Sequence, residues 1–139
     1  VIFCLSLHDA LPICDIHFLC YIPKGESIID SMRDFKKYTS VKIRKLAQHE
    51  NKYFLLERLK QNALCSRNQK YKLWMDRFDD LVITTERMMG IKANYIHNNP
   101  VKAKFMEYPE EWIFSSARNY ILNDHSIIKV NVEWTAKLD

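Results

Sequence analysis

Glycine, proline and long apolar runs are all scarce in this chain of 139 residues, which contains two glycines and four prolines. Their scarcity excludes a flexible linker and a low-complexity segment, since both are built largely from glycine, serine or proline. No stretch reaches the roughly 18 apolar residues that a membrane-spanning helix requires. The sequence therefore predicts one globular domain, without membrane contact, in the cytoplasm.

Cysteine is also sparse, and its spacing does not indicate a metal site. The four cysteines are Cys4, Cys14, Cys20 and Cys65. None forms a C-x-x-C pair, and none is spaced from a histidine as in a zinc finger. We interpret them as reduced, mostly buried thiols of a cytoplasmic protein.

Positive charge is concentrated in the segment 33–45, although the formal net charge of the chain is only +4. The six basic residues in this segment, opposed by Asp34 alone, are Arg33, Lys36, Lys37, Lys42, Arg44 and Lys45. One interpretation is a solvated helix face. The other is a stripe that binds nucleic-acid phosphates, because clustered cations displace the counterions of the phosphates. On charge alone, we assign DNA contacts to Arg33, Lys36, Lys37 and Lys42.

The hydrophobic pattern predicts two strand regions. Residues 15–22 are rich in β-branched and aromatic side chains, and a Pro-Lys-Gly turn follows them. Residues 71–83 are also predicted to be strand-rich, and the core residues expected in them are Trp74, Phe78, Leu81 and Ile83. Within the first strand Asp15 and His17 are two positions apart, so they share one face. Such a pair usually faces solvent, but the apolar residues around it also allow a pocket.

Helical spacing of apolar residues predicts helices at 28–48, 52–60 and 86–99, and a short one within 107–121. Ser27 is the expected cap of the first, and Thr84 or Thr85 of the third. Pro100 disfavours helical geometry at Asn99, so the third helix is expected to end there.

The end of the third predicted helix carries two side chains that could take part in a reaction. Tyr95 and Asn99 are four residues apart and project from the same side of the helix. A tyrosine at such a position usually serves packing. Together with a strand that carries two metal-ligand types, however, it could form a phosphoryl-transfer site, in which the tyrosine attacks a metal-polarised phosphate.

Four segments, in this order, resemble the single-tyrosine HUH transposases and, within them, the REP-associated tyrosine transposase branch. They are "DIHFLCYIPKGESIIDSMRDFKKYTS", "YKLWMDRFDDLVI", "YIHNNPVKA" and "YPEEWIFSSARNY". The resemblance covers roughly residues 14–121, which we expect to form the catalytic domain, followed by a tail at 122–139. Its most specific part is "YIHNNPVKA" followed by the Pro-Glu-x-Trp-x-x-Ser-Ser pattern.

The resemblance implies an α+β, ferredoxin-like fold with helices on one face of an antiparallel sheet. It implies a transposase that nicks and rejoins single-stranded DNA at hairpins through a covalent 5′-phosphotyrosine, as a monomer or homodimer. The nucleophile position falls on Tyr95. A divalent cation, Mg²⁺ or Mn²⁺, would be held by His17, by Asp15 in place of a histidine, and by Asn99.

Two departures from the family pattern bear on activity. Asp15 stands where the first histidine of the metal-binding pair is expected; a carboxylate also suits a hard cation, so Asp15 is a tolerated ligand, a mark of decay or an artefact. Residues 1–13 include "SLHDALPI", which resembles translated adapter sequence, so we expect the family's first strand to be missing or non-native. Cleavage is therefore expected to be weak or absent. The alternative function is a catalytically decayed nucleic-acid-binding domain.

Overall fold

A computed structural model describes residues 2–6, 15–64, 66 and 68–133, with the backbone alone for 2–6 and for Asp15. The chain divides into two compact units, Val1–Leu81 and Val82–Asp139. Trp134, in the predicted tail, lies outside the described residues, as do Cys14 and Cys65.

The first unit combines two helices with three short strands. In chain order these elements are β1 (Ile2–Ser6), β2 (Asp15–Leu19), α1 (Ile28–His49), α2 (Tyr53–Ala63) and β3 (Asp79–Leu81). The strands form an antiparallel sheet in the order β2-β1-β3. Cys4 in the central strand lies opposite His17 on one side and Asp79 on the other. The central strand therefore comes from the segment that the sequence predicted to be non-native.

The prediction of a ferredoxin-like fold is wrong. The described chain is mostly helical, and α1 alone, with 22 residues, is longer than the three strands together. Most of the predicted strand region 71–83 is irregular, and only Asp79–Leu81 forms a strand. The prediction that Leu81 lies in the core is wrong, because it is 39% exposed. Backbone groups of the irregular part form hydrogen bonds to other segments: the Lys72 amide donates to the Leu59 carbonyl at 2.8 Å. A ladder cannot form where these groups already have other partners.

The predicted first and second helices are confirmed, and α1 has the expected cap. The Ser27 hydroxyl accepts a hydrogen bond from the Asp30 amide at 3.3 Å. This bond satisfies one of the amides that a helix N-terminus leaves without an intrahelical partner. The helix ends after His49, and Asn51 then takes a positive φ of 56° that turns the chain into α2.

The core of the first unit lies where α1, α2 and the segment 71–78 meet. Its buried side chains are Met32, Leu59, Leu73 and Trp74. The Phe35 ring bridges β2 and this core, edge-on to Phe18 at 5.3 Å and 5.8 Å from the Trp74 ring. The indole N–H of Trp74 donates to the Thr39 hydroxyl at 2.8 Å, so burial of the indole leaves no polar atom unpaired.

The second unit contains α3 (Glu86–Lys102), a single 3-10 turn at Pro109–Glu111 and α4 (Ala117–Ile121). The Thr85 hydroxyl accepts from the Met88 amide at 3.2 Å, which confirms the expected cap of α3. The predicted end of α3 at Asn99 is wrong, because the helix continues through Pro100 to Lys102. The buried Pro100 lies in the last turn, and its carbonyl accepts from the Phe105 amide at 3.0 Å. So close to the helix end, proline removes only one intrahelical bond.

No helix in the described ranges is long and apolar enough to cross a membrane, as the sequence predicted.

We expect Leu59→Ala to destabilise the protein by about 2–5 kcal/mol, because it removes a large side chain from a packed core. Leu59 is 3% exposed. Leu64→Ala is the matched control, since Leu64 lies just beyond α2 and is 82% exposed. Chemical denaturation of both variants measures the difference. Equal losses of stability would contradict the assignment of Leu59 to the core.

Candidate functional site

Tyr95 lies in the middle of α3 with its side chain 48% exposed. Two lysine ammonium groups from the same helix contact its ring: Lys102 Nζ lies 5.2 Å from the ring centroid and Lys92 Nζ 6.0 Å. Lys92 precedes the tyrosine by three residues and Lys102 follows it by seven, so both lie on the helix face of Tyr95. The result is a half-exposed tyrosine with two positive charges at its ring, an arrangement that suits a bound phosphate.

The two lysines beside Tyr95 were not among the residues that the sequence predicted for the site. The signal was present in the spacing, since positions three and seven residues away share a helix face. The sequence analysis looked for positive charge only in the densest run, 33–45. A pair of lysines separated by nine intervening residues does not stand out as a cluster until the helix is built.

Asn99, predicted as a metal ligand, is half-buried in the last turn of α3. Its carbonyl accepts from the Ala103 amide at 3.0 Å, which closes the helix end. The neighbouring Asn98 donates to the carbonyl and side-chain oxygens of Asn94 at 2.9 and 2.8 Å. The asparagines of "YIHNNPVKA" therefore take different positions: Asn98 is bonded along the helix surface, and Asn99 lies one turn after Tyr95.

His97 serves packing in the second unit. Its side chain is 8% exposed, its Nε2 lies 2.9 Å from the Ser116 hydroxyl, and its ring lies 5.2 Å from that of Tyr120. Burial lowers the pKa of His97 below the usual value for histidine, so the ring is neutral at pH 7. The histidine thus joins α3 to α4, and it connects two of the sequence segments that carry the family resemblance.

Side chains of the "SSARNY" segment form hydrogen bonds to the residues that follow α4. Arg118 donates through Nη2 and Nε to one carboxylate oxygen of Asp124, at 2.7 and 3.0 Å. Hydrogen bonds from Ser126 and the Arg118 guanidinium hold the pKa of Asp124 far below its usual range. The buried Asn119 amide donates to the Ile128 carbonyl at 2.7 Å. The part of the predicted tail nearest to α4 is therefore tied to the unit by side-chain hydrogen bonds.

His17 lies on β2, where the sequence placed it, with its side chain half-buried. Ile16 and Phe18 on either side of it pack against the core of the first unit, so strand alternation turns His17 to the opposite face. The Asp15 side chain lies outside the described residues. Among the side chains that the structure does describe, no three of the His, Cys, Asp and Glu residues form a group that could hold a metal ion. The described residues do not assemble a metal site, and we derive no step through one.

The four predicted DNA-binding residues have different environments. Lys36 points inward: its Nζ donates to the carbonyls of Met75 at 2.8 Å and Arg77 at 3.0 Å, and burial lowers its pKa. Arg33 pairs with the carboxylates of Asp30 and Asp34.

The other two predicted DNA-binding residues, Lys42 and Lys37, are both exposed. Lys42 Nζ lies 5.4 Å from the Tyr38 ring centroid. Lys37 lines a groove beside α1. The basic segment is therefore not one uniform stripe, because its cations differ in their contact partners and in their exposure.

Comparison of the chain with protein-family models, curated proteins and solved structures gave no match in any of the three.

We expect Ser116→Ala to lower the free energy of unfolding by about 1–3 kcal/mol, because it leaves the buried His97 nitrogen without its partner. Thr84→Ala is the control, since Thr84 is exposed and Thr85 provides the helix cap. Thermal and denaturant unfolding measure both variants. A change within about 0.5 kcal/mol for Ser116→Ala, the range of an ordinary surface substitution, would contradict the role assigned to the His97 contact.

Proposed function

We propose that this protein is a DNA strand transferase of the transposase type and that the Tyr95 hydroxyl is its nucleophile. The observation that supports this is the half-exposed tyrosine with two lysine ammonium groups at its ring. The two ammonium groups would attract a phosphodiester to the tyrosine. The proposed partner is single-stranded, hairpin-forming DNA in the cytoplasm, bound by a monomer or homodimer.

The proposed chemistry is a transesterification. The Tyr95 oxygen attacks the phosphorus of a phosphodiester and forms a P–O bond, while the bond from phosphorus to the 3′-oxygen breaks. The phenol proton passes to solvent, and the departing 3′-oxygen takes one up. The product is a 5′-phosphotyrosine ester. Attack by another 3′-hydroxyl reverses these events and rejoins the strand, so the phosphodiester bond is conserved without an external energy source.

The residues of α3 contribute position and charge to this reaction. Lys92 and Lys102 would bind the non-bridging oxygens of the phosphate and hold it beside the tyrosine oxygen, which lowers the entropic cost of attack. Their charge would also stabilise the additional negative charge of the transition state. The family resemblance implies Mg²⁺ or Mn²⁺ as cofactor, so the proposal includes a divalent cation as a component of the assay.

The second candidate is a nucleic-acid-binding domain of the same descent without strand transfer. The replacement of the expected histidine by Asp15 favours it, because an uncompensated carboxylate would repel a DNA phosphate. The two candidates differ in one product: only the strand transferase forms a covalent bond to DNA.

We expect a labelled hairpin single-stranded oligonucleotide, incubated with the protein and Mg²⁺ or Mn²⁺, to give an adduct that survives denaturing electrophoresis. Tyr95→Phe abolishes the adduct, because the phenyl ring has no oxygen to attack phosphorus. Tyr38→Phe is the matched control: Tyr38 is also exposed, and a lysine also contacts its ring. Tyr38→Phe therefore keeps the adduct.

Each alternative result has a distinct meaning. An adduct that persists in Tyr95→Phe excludes Tyr95 as the nucleophile. Wild-type protein that binds the oligonucleotide without any adduct, under either cation, supports the binding domain over the transferase.

A further inference from the structure

A groove of about 580 Å³ lies within the first unit, between α1 and the segment 69–78. Buried side chains of the core, among them Leu59, Leu73 and Trp74, line it. Its volume falls in the range of ligand-binding clefts. The groove is formed entirely by residues of the first unit, so it shares no residue with the Tyr95 patch on α3.

Cations dominate the polar residues along this groove. Six basic residues line it against a single carboxylate, that of Asp76; they are Arg33, Lys36, Lys37, Arg44, Lys70 and Lys72. Three of the six already have partners: Arg33 pairs with aspartates, Lys72 pairs with Asp76 at 2.8 Å, and Lys36 donates to backbone carbonyls. They support the walls of the groove.

Lys37, Arg44 and Lys70 are the other three cations. Within the described ranges none of them has a carboxylate oxygen within ion-pair distance. Lys37 and Lys70 are exposed, whereas Arg44 is half-buried. Three uncompensated cations beside one cleft create a positive potential that favours an anionic ligand.

Arg44 provides the most specific donor in the groove for an anionic ligand. Its Nε is fully shielded from solvent, yet it has no hydrogen-bond partner among the described residues. Its guanidinium lies 5.6 Å from the centroid of the Tyr71 ring, and Lys70 Nζ lies 6.0 Å from the same ring. A buried guanidinium donor without an acceptor is costly, so an oxyanion that reached it would gain a charge-assisted hydrogen bond.

We propose that this groove binds backbone phosphates of single-stranded DNA through Lys37, Arg44 and Lys70. The choice of DNA as the source of the phosphates rests on the proposed function; the groove itself rests on its own cations. The Tyr71 ring is contacted by two cations and the Phe78 ring by Lys36 at 5.5 Å. Contacts to phosphates rather than stacking on bases therefore dominate, and binding is independent of base sequence and sensitive to salt.

The test uses the full chain carrying Tyr95→Phe, so that covalent chemistry cannot contribute. Fluorescence anisotropy with a labelled oligothymidylate measures affinity across a salt series. Each phosphate contact to a single strand contributes a slope of about 0.7 in log K against log salt. Lys37→Gln and Lys70→Gln are therefore each expected to reduce the slope by about 0.7, and to weaken binding about eightfold at 50 mM salt and about fourfold at 150 mM.

Lys45→Gln is the matched control, because Lys45 is an exposed lysine on α1 next to Arg44 in sequence but does not line the groove. It removes the same charge and is expected to change affinity less than twofold. Arg44→Lys keeps the charge and removes the Nε donor, so affinity is expected to fall with an unchanged slope. Circular dichroism checks that each variant is folded.

Equal losses in Lys45→Gln and the groove variants would overturn the proposal, because they would show a response to net charge alone. So would unchanged affinity in folded Lys37→Gln and Lys70→Gln, or absence of oligothymidylate binding. These outcomes are distinguishable from failure of the strand-transferase proposal, which is judged by the adduct of the protein with Tyr95 intact. Groove binding without any adduct supports the groove, and an adduct with unchanged groove variants rejects it.

Discussion

The attachment of the segment 71–78 to α1 is the interaction on which the first unit depends. Trp74 is inserted beneath the helix and donates to Thr39, while the Lys36 ammonium reaches over to the carbonyls of Met75 and Arg77. The ammonium contacts give carbonyls of this irregular backbone the partners that a strand would have found in a ladder. The groove wall, the core and the short third strand all follow from where this segment is held.

The second unit has a comparable constraint in the contact between His97 and Ser116. This contact joins α3 to α4 and so supports the helix that carries Tyr95. A histidine inside a motif that indicates a family is easily assigned to catalysis, but the buried His97 has a structural role here. The functional potential of α3 lies on the opposite, exposed side, where Tyr95 is reachable and two lysines contact its ring.

Residues that look alike in the basic segment 33–45 differ in what they can do. Arg33 is held by aspartates, Lys36 by carbonyls, and Arg44 has a shielded nitrogen that lacks an acceptor. Charge counting cannot separate these cases, because the partner of each cation comes from a distant part of the chain: Lys36 contacts residues about 40 positions away. The groove was missed for the same reason, since Lys70 and Tyr71 are remote from α1 in sequence.

The sequence by itself determined where the first three helices lie and that Ser27 caps the first, and it narrowed the cap of the third to Thr84 or Thr85. Helical periodicity and the capping hydroxyls act over only three or four residues. It also determined that Tyr95 and Asn99 share a helix side. Only the tertiary structure decided that the segment 71–78 is not a strand, that α3 passes through Pro100, and which cations stay uncompensated. The physical reason is the distance along the chain over which each effect acts. Helix propensity depends on neighbouring residues, whereas a hydrogen-bond partner, a buried ring or an unpaired charge depends on which distant segment folds against it.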